Sequence, residues 1–272
     1  MLLGGPIVKP FSSPEEWLAL VKEMNFGAVY FPLDSNAPDA LIGEYAAAAR
    51  ENGLFIAEVG VWRNVLSSDA DEARAARDYA KKQLALAERV GARCCVNISG
   101  SRGEQWDGPH PANFTKETFD MIVASVREII DAVKPEKAFY TLEPMAWMYP
   151  HTADSYLALI KAVDRRAFAA HFDPVNIIAS PADYYRNGEI IREWFEKLGG
   201  HIKSCHAKDT FLEGQLTVHL NERRPGLGNL DYRAFIECLE KLPGVPMMTE
   251  HMDKQEDVMA ADEYIRGIMA NR

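Results

Sequence analysis

The sequence predicts a single (β/α)8 barrel over residues 1–272, and three observations carry that reading. Short β-type runs alternate with longer helical patterns from end to end. The count reaches eight of each. No glycine-rich phosphate turn follows the first strand, which argues against the alternative, an open doubly wound sheet. A βαβα rhythm implies a parallel sheet, because parallel neighbours need a crossover of about a dozen residues or more. The 272 residues divide into eight units of about 34, and closed barrels of this type take about 250 residues in all.

Taken in order, the strands are expected at 2–8, 27–31, 54–59, 92–98, 137–143, 168–173, 201–206 and 245–250. Helices are expected near 14–24, 38–51, 70–90, 115–133, 152–163, 182–198, 231–241 and 255–270. Several helices open on capping signals: Ser-Ser-Pro-Glu-Glu at 12–16, Thr115 before Lys-Glu, and Ser180 before Pro181. Two connections, 99–114 and 207–230, are longer than packing requires. Both follow strands, so both belong to the C-terminal face, where barrel active sites are built. No Ser/Gly-rich linker or low-complexity tract interrupts the pattern, so one domain is expected.

Composition narrows the function. Apolar residues make up 47% of the chain, enough for a sizeable core. The formal charge of −10 would repel a polyphosphate backbone, so no nucleic-acid partner is expected. Cys94, Cys95, Cys205 and Cys238 match neither a disulfide framework nor a paired zinc motif; buried free thiols in a reducing compartment are the reading. The opening MLLGGPIVKPF lacks the charged region and apolar length of a signal peptide, and no stretch approaches the roughly 20 apolar residues of a membrane span. A soluble, cytoplasmic protein is the expectation.

Four strands end in a metal-ligand residue type: Glu143 on the fifth, Asp173 on the sixth, His206 on the seventh and Glu250 on the eighth. Their spacings are 30, 33 and 44 residues, the last stretched by the long 207–230 loop. One ligand per βα unit at a common face lets four side chains converge. Three carboxylates and one imidazole make a hard, mostly oxygen site suited to one Mn2+ ion, with Mg2+, Co2+ or Zn2+ as alternatives. Any one of these residues could instead cap a helix or pair with a cation. Four such groups buried without a metal would cost several kcal/mol.

The surrounding stretches read LEP at 142–144, HFDPVN at 171–176, HAKDT at 206–210, RPGLGNLDY at 224–232 and TEHMD at 249–253. In that order and spacing the chain resembles the xylose isomerase-like TIM-barrel superfamily, which includes ketose 3-epimerases, inosose dehydratases and endonuclease IV. The resemblance implies that Glu143, Asp173, His206 and Glu250 bind one divalent metal. It also implies a metal-dependent isomerase or epimerase acting on a keto-sugar, free or modified. The cation would chelate the carbonyl and a neighbouring hydroxyl oxygen and stabilise an enediolate. Glu143 and Glu250 are then the natural pair of proton-transfer catalysts.

Further residues have weaker expectations. Alternation along a strand gives His171 the orientation of Asp173 and Lys208 that of His206. His171 would orient a ligand or substrate hydroxyl, or sit in the core; Lys208 would polarise a substrate oxygen, or lie solvated at the rim. Asn176 stands where similar epimerases carry a substrate-binding His, a departure that bears on substrate preference. Met145 replaces the lysine that assists hydride shift in true xylose isomerases, which disfavours that reaction. Arg223 or Arg224 would hold a substrate hydroxyl or acid, or serve the surface. His251 should point away from Glu250. Trp62, Trp106 and Trp147 follow strands three, four and five, as aromatic walls for a sugar or as plain packing.

The rival reading is a lyase of the same superfamily, in which the enediolate expels a β-hydroxyl, or the aglycone of a 3-keto-glycoside. His171, His151 or Lys208 would then protonate the leaving group. A DNA-repair endonuclease needs three metals and a basic groove, which seven histidines and a charge of −10 do not supply. A barrel that binds without catalysis is opposed by the intact ligand set. Such barrels often pair, so a homo-oligomer is an expectation by analogy.

Overall fold

A computed structural model describes residues 1–271. Eight strands form the barrel wall: β1 (Leu2–Gly5), β2 (Ala28–Tyr30), β3 (Phe55–Gly60), β4 (Cys94–Asn97), β5 (Phe139–Leu142), β6 (Phe168–Phe172), β7 (Ile202–Ala207) and β10 (Pro246–Thr249). All pair in parallel, and β10 pairs with both β7 and β1, which closes the sheet. The helices around it are α1 (Pro14–Glu23), α2 (Asp39–Glu51), α3 (Ala70–Val90), α4 (Lys116–Val133), α5 (Ala153–Val163), α6 (Pro181–Tyr185), α7 (Asn187–Leu198), α8 (Tyr232–Leu239) and α9 (Gln255–Ala270). The chain is a single (β/α)8 barrel, as its alternating pattern predicts.

Three predicted caps form. Ser13 accepts from Glu16 N at 3.3 Å, Thr115 from Thr118 N at 3.3 Å and Ser180 from Asp183 N at 3.1 Å, each satisfying a backbone donor that the first helical turn leaves free. All four cysteines are buried and unpaired. Among the described residues, no helix is long and apolar enough to cross a membrane.

Two elements differ from expectation. The helix predicted over 182–198 breaks at Arg186, whose ψ of 19° is not helical. There Asn187 Nδ2 donates to Tyr184 O at 2.7 Å and to Asn229 O at 3.0 Å, a side-chain alternative to the helical ladder. The 207–230 connection holds an antiparallel hairpin, β8 (Asp209–Leu212) with β9 (Leu220–Arg223). Buried Asp209 fastens its return: the carboxylate accepts from Thr210, Gly226, Gly228 and Leu230 backbone N–H groups at 2.9–3.0 Å. Gly228 is required there, since a Cβ would lie 2.2 Å from Thr210 O. The RPGLGNLDY stretch is thus a clamp that anchors the hairpin above the barrel.

Candidate metal centre

Glu143 and Asp173 each stand one residue past the end of their strands, β5 and β6. The buried Tyr156 hydroxyl knits these strands just beneath them, accepting from Leu142 N at 3.0 Å and His171 N at 3.2 Å. His206 lies within β7, and Glu250 follows β10. Each of the four offers a ligand atom, and those atoms all lie within 4.8 Å of one another. His206 Nδ1 is 2.8 Å from Glu250 Oε2 and 3.1 Å from Glu143 Oε1. Asp173 Oδ1 accepts from Val175 N at 2.8 Å, which turns its other oxygen towards the cluster.

Lys208 enters the cluster from β7's C-terminal end. It is buried rather than solvated at the rim: Nζ lies 2.7 Å from Asp173 Oδ2 and 2.6 Å from Glu250 Oε1, and donates to Asn176 Oδ1 at 3.1 Å. Asp173 Oδ2 and Glu250 Oε1 share this one ammonium and have no further hydrogen-bond donor. One cation shared by several buried carboxylates leaves lone pairs free for another. Those two oxygens, a further carboxylate and an imidazole nitrogen fit one hard divalent cation.

Electrostatics follow from burial among charges. Burial opposes ionisation of Glu143 and Glu250, yet His206 and Lys208 hold both below the ordinary carboxylate value, Glu250 well below it. Burial pushes Asp173 up to about 7, with Glu143 and Glu250 adding to the rise and Lys208 offsetting it only in part. Lys208 suffers the same burial, but Asp173, Glu250 and Glu143 raise it well above the ordinary lysine value.

Glu58 is the residue that sequence reasoning missed. It sits on β3, buried, and takes donors from three others: His171 Nε2 at 3.2 Å, His206 Nε2 at 3.1 Å and the Ser204 hydroxyl. Burial works against its charge, but His206 and His171 hold its pKa far below the ordinary range, so it stays an acceptor. Glu58 therefore keeps a proton on His206 Nε2 and turns Nδ1 towards Glu143 and Glu250, which, against burial, raise this imidazole well above its ordinary pKa; a cation at the cluster would take the place of the Nδ1 proton. The available signal was a lone carboxylate in the otherwise apolar run FIAEVG.

The remaining expectations divide. Asn176 joins the cluster, donating to Glu143 Oε1 at 2.9 Å while it accepts from Lys208. His171 lies fully buried, bonded to Glu58, and does not line the cavity above, so it cannot touch a substrate there. Arg223 is also corrected: it pairs with Glu213 at 2.8 Å and donates to Glu222 O within the hairpin, away from the cavity. Arg224 pairs with Asp257 at 3.2 Å. On β9 it is Glu222, the neighbour of Arg223, that faces the cavity and meets His251 Nδ1 at 2.9 Å. His251 does not point away from Glu250: its φ of +56° breaks the alternation and brings Nε2 within 3.8 Å of Glu250 Oε2. His151 packs against Phe114 and Tyr149, outside the cavity.

Above the cluster opens a cavity of about 930 Å3 that reaches across the β2, β3 and β4 loops. The model of the xylose isomerase-like TIM barrel matches residues 18–268 of this barrel. The chain belongs to that family. No curated protein sequence matches it. Among solved structures, the barrel is similar to the apo 3-keto-D-glucoside 4-epimerase of E. coli, with a TM-score of 0.74, 16% identity and 99% of each chain covered. It is similar to an L-ribulose 3-epimerase, with a TM-score of 0.72, 21% identity, and 99% of this chain and 93% of that one covered. A magnesium complex of a xylose isomerase-like TIM-barrel protein from Mycobacterium smegmatis aligns with a TM-score of 0.69 and 19% identity over 95% and 89% of the two chains. At these identities the likeness shows the shared family fold.

Proposed function

We propose that this chain is a divalent-metal-dependent sugar isomerase of the epimerase kind, exchanging a proton on the carbon beside a keto-sugar carbonyl. The observation that supports it is the convergence of Glu143, Asp173, His206 and Glu250 within 4.8 Å beneath an open cavity. These four would hold the cation, Mn2+ as first choice, with Mg2+ the ion bound in the M. smegmatis relative. When bound, the cation supplies Lewis-acid polarisation of the substrate carbonyl. Everything else falls to the protein's own groups.

Glu143 and Glu250 line the cavity and are both held ionised in the free protein, so either can take the proton; the other would first acquire a proton from solvent and deliver it to the opposite face of the carbon. Asn176 holds Glu143 in place, Lys208 does the same for Glu250, and Glu58 presents the correct nitrogen of His206. Met145, where a hydride-shift enzyme carries lysine, favours proton transfer over hydride transfer. Two neighbours in fold, a 3-keto-D-glucoside 4-epimerase and an L-ribulose 3-epimerase, have names that denote inversion of one sugar carbon. Elimination is the weaker reading, since of its acid candidates His171 and His151 do not reach the cavity and only Lys208 does.

The test is solvent deuterium incorporation across a panel of ketoses and keto-glycosides, with Mn2+ supplied and products followed by NMR. Exchange at a single carbon with an epimer as product is expected. Loss of water or of an aglycone would move the assignment to a lyase. No exchange on any member would refute proton transfer.

A further inference from the structure

We infer that the cavity is built for a neutral glycoside, with one ring at the carboxylate cluster and a second ring or aryl aglycone against a tryptophan wall. The inference rests on the proposed reaction only in placing the reacting ring at the cluster. It adds what the rest of the cavity is for.

Trp62, Trp106 and Trp147 are 36%, 36% and 37% exposed, and all three line this one cavity. They come from the loops after β3, β4 and β5. Large aromatic surface left open in a concavity marks a ligand-binding wall rather than unfinished packing. The wall is braced by polar contacts instead of by burial. Trp147 Nε1 donates to Asp107 O at 2.6 Å, Asn113 Nδ2 donates to Trp147 O at 3.1 Å, and Ser101 N donates to Trp106 O at 2.8 Å. These bonds tie the β4 and β5 loops together, fix the Trp147 indole directly and hold the backbone that carries Trp106.

Trp62 joins the wall to the cluster. Its backbone adopts φ +49°, a left-handed conformation that bulky residues avoid and that persists only where the surroundings impose it. Its indole lies back over Gly60, where a Cβ would come within 2.2 Å of Nε1. The ring thereby reaches the cluster, 6.3 Å from the His206 ring between centroids. A glycine cradle and a strained backbone both serve to place one half-exposed indole beside the candidate metal ligands. Packing alone requires neither.

Size and charge narrow the occupant. At about 930 Å3 the cavity is near the top of the range for drug-sized ligands, about 300–1,000 Å3, and a single sugar ring fills a minor part of it. Six carboxylates line it: Asp34, Glu58, Asp107, Glu143, Glu222 and Glu250. Against them stand two permanent cations, Arg63 and Lys208. Lys208 is engaged by Asp173 and Glu250, while Arg63 donates to Trp62 O at 3.0 Å and lies 5.1 Å over the Tyr79 ring. With a divalent cation bound and His251 charged beside Glu222, the lining still holds no surplus of positive charge for an anion. Among the described residues Arg63 is the one guanidinium in the lining, with one N–H spent on Trp62 O and its face on Tyr79, and Lys208 is committed to carboxylates. A neutral occupant with apolar ring faces suits both the wall and the charge.

The test titrates Mn2+-supplemented protein with non-reacting probes, read by tryptophan fluorescence and calorimetry. The probes are phenyl β-D-glucopyranoside, phenyl β-D-galactopyranoside, the parent monosaccharides and D-glucose 6-phosphate. The better aryl glycoside should bind at least about tenfold tighter than its parent sugar or the phosphate. Trp62→Ala should abolish that difference and Trp62→Phe should keep part of it. Equal binding of the parent sugar, tighter binding of the phosphate, an undiminished preference in Trp62→Ala, or no binding of any probe would each overturn the inference. These probes require no turnover, so failure of deuterium exchange with the aryl preference intact would remove the proposed reaction alone. Exchange on free ketoses with no aryl preference would remove this inference alone.

Discussion

Replacing Glu58 by Gln tests whether a residue outside the proposed four-ligand set, bonded to His206, sets the affinity for the cation. Glu58 Oε2 receives His206 Nε2 at 3.1 Å, while Oε1 receives His171 Nε2 at 3.2 Å together with the Ser204 hydroxyl. Glutamine keeps the shape but turns one of these acceptors into an NH2 donor. If the amide nitrogen faces His206, that ring must move its proton to Nδ1, into the position the cation requires. If it faces His171, the bond to His206 survives but loses its charge. A charged hydrogen bond contributes about 1.5–3 kcal/mol and a neutral one about 0.5–1.5, so the better orientation still loses about 1–1.5 kcal/mol. That is about five- to thirteenfold in affinity, near the lower end of the roughly 10–100-fold typical of groups that orient metal ligands. Calorimetric titration of Mn2+ into chelator-treated wild-type and Glu58→Gln protein measures it, with circular dichroism as the fold control. A variant that binds Mn2+ within twofold of wild type would show that Glu58 does not orient His206 for a metal.

Glu143→Gln and Glu250→Gln should each leave a folded barrel whose turnover falls by about 10²–10⁴-fold, the usual contribution of a positioned acid or base; full activity in either variant would break the two-carboxylate scheme. Lys208→Met strands Asp173 and Glu250 without their buried counter-ion, and losing one partner of a buried pair costs about 3–5 kcal/mol. Urea unfolding of the metal-free protein checks this, and a loss below about 1 kcal/mol would mean that the cluster relaxes without Lys208. Burial holds the His151 pKa below its ordinary value. The unfolded chain therefore takes up this proton first as the pH falls, and stability declines from about pH 6.5 down to the lower folded-state value. His151→Phe should flatten the pH dependence of the melting temperature over that window; an unchanged slope would assign it to other groups.

The sequence by itself determined the barrel and the placing of Glu143, Asp173, His206 and Glu250 at its strand ends. Period-two strands, capped helices and their alternation are local properties; they specify a parallel sheet, and eight units with no glycine-rich phosphate turn after the first strand favour its closed form over an open doubly wound one. A carboxylate or imidazole at a strand's C-terminal end then needs only barrel closure to meet its counterparts. Tertiary structure decided what depends on contact across the barrel or on loop conformation. Glu58 reaches its partners over 113, 146 and 148 residues of sequence, a meeting set by the inward pleat of β3, β6 and β7 and invisible to any local pattern. Lys208 is buried because Asp173 and Glu250 converge on it from β6 and β10. Alternation misplaced His251 because left-handed backbone interrupts it, and the hairpin turned Glu222 rather than Arg223 to the cavity. The tryptophans were visible as residues after strands, but only the assembled loops bring them onto one wall. Local periodicity assigns each side chain a face, whereas which faces share a site is settled by register, closure and loop geometry.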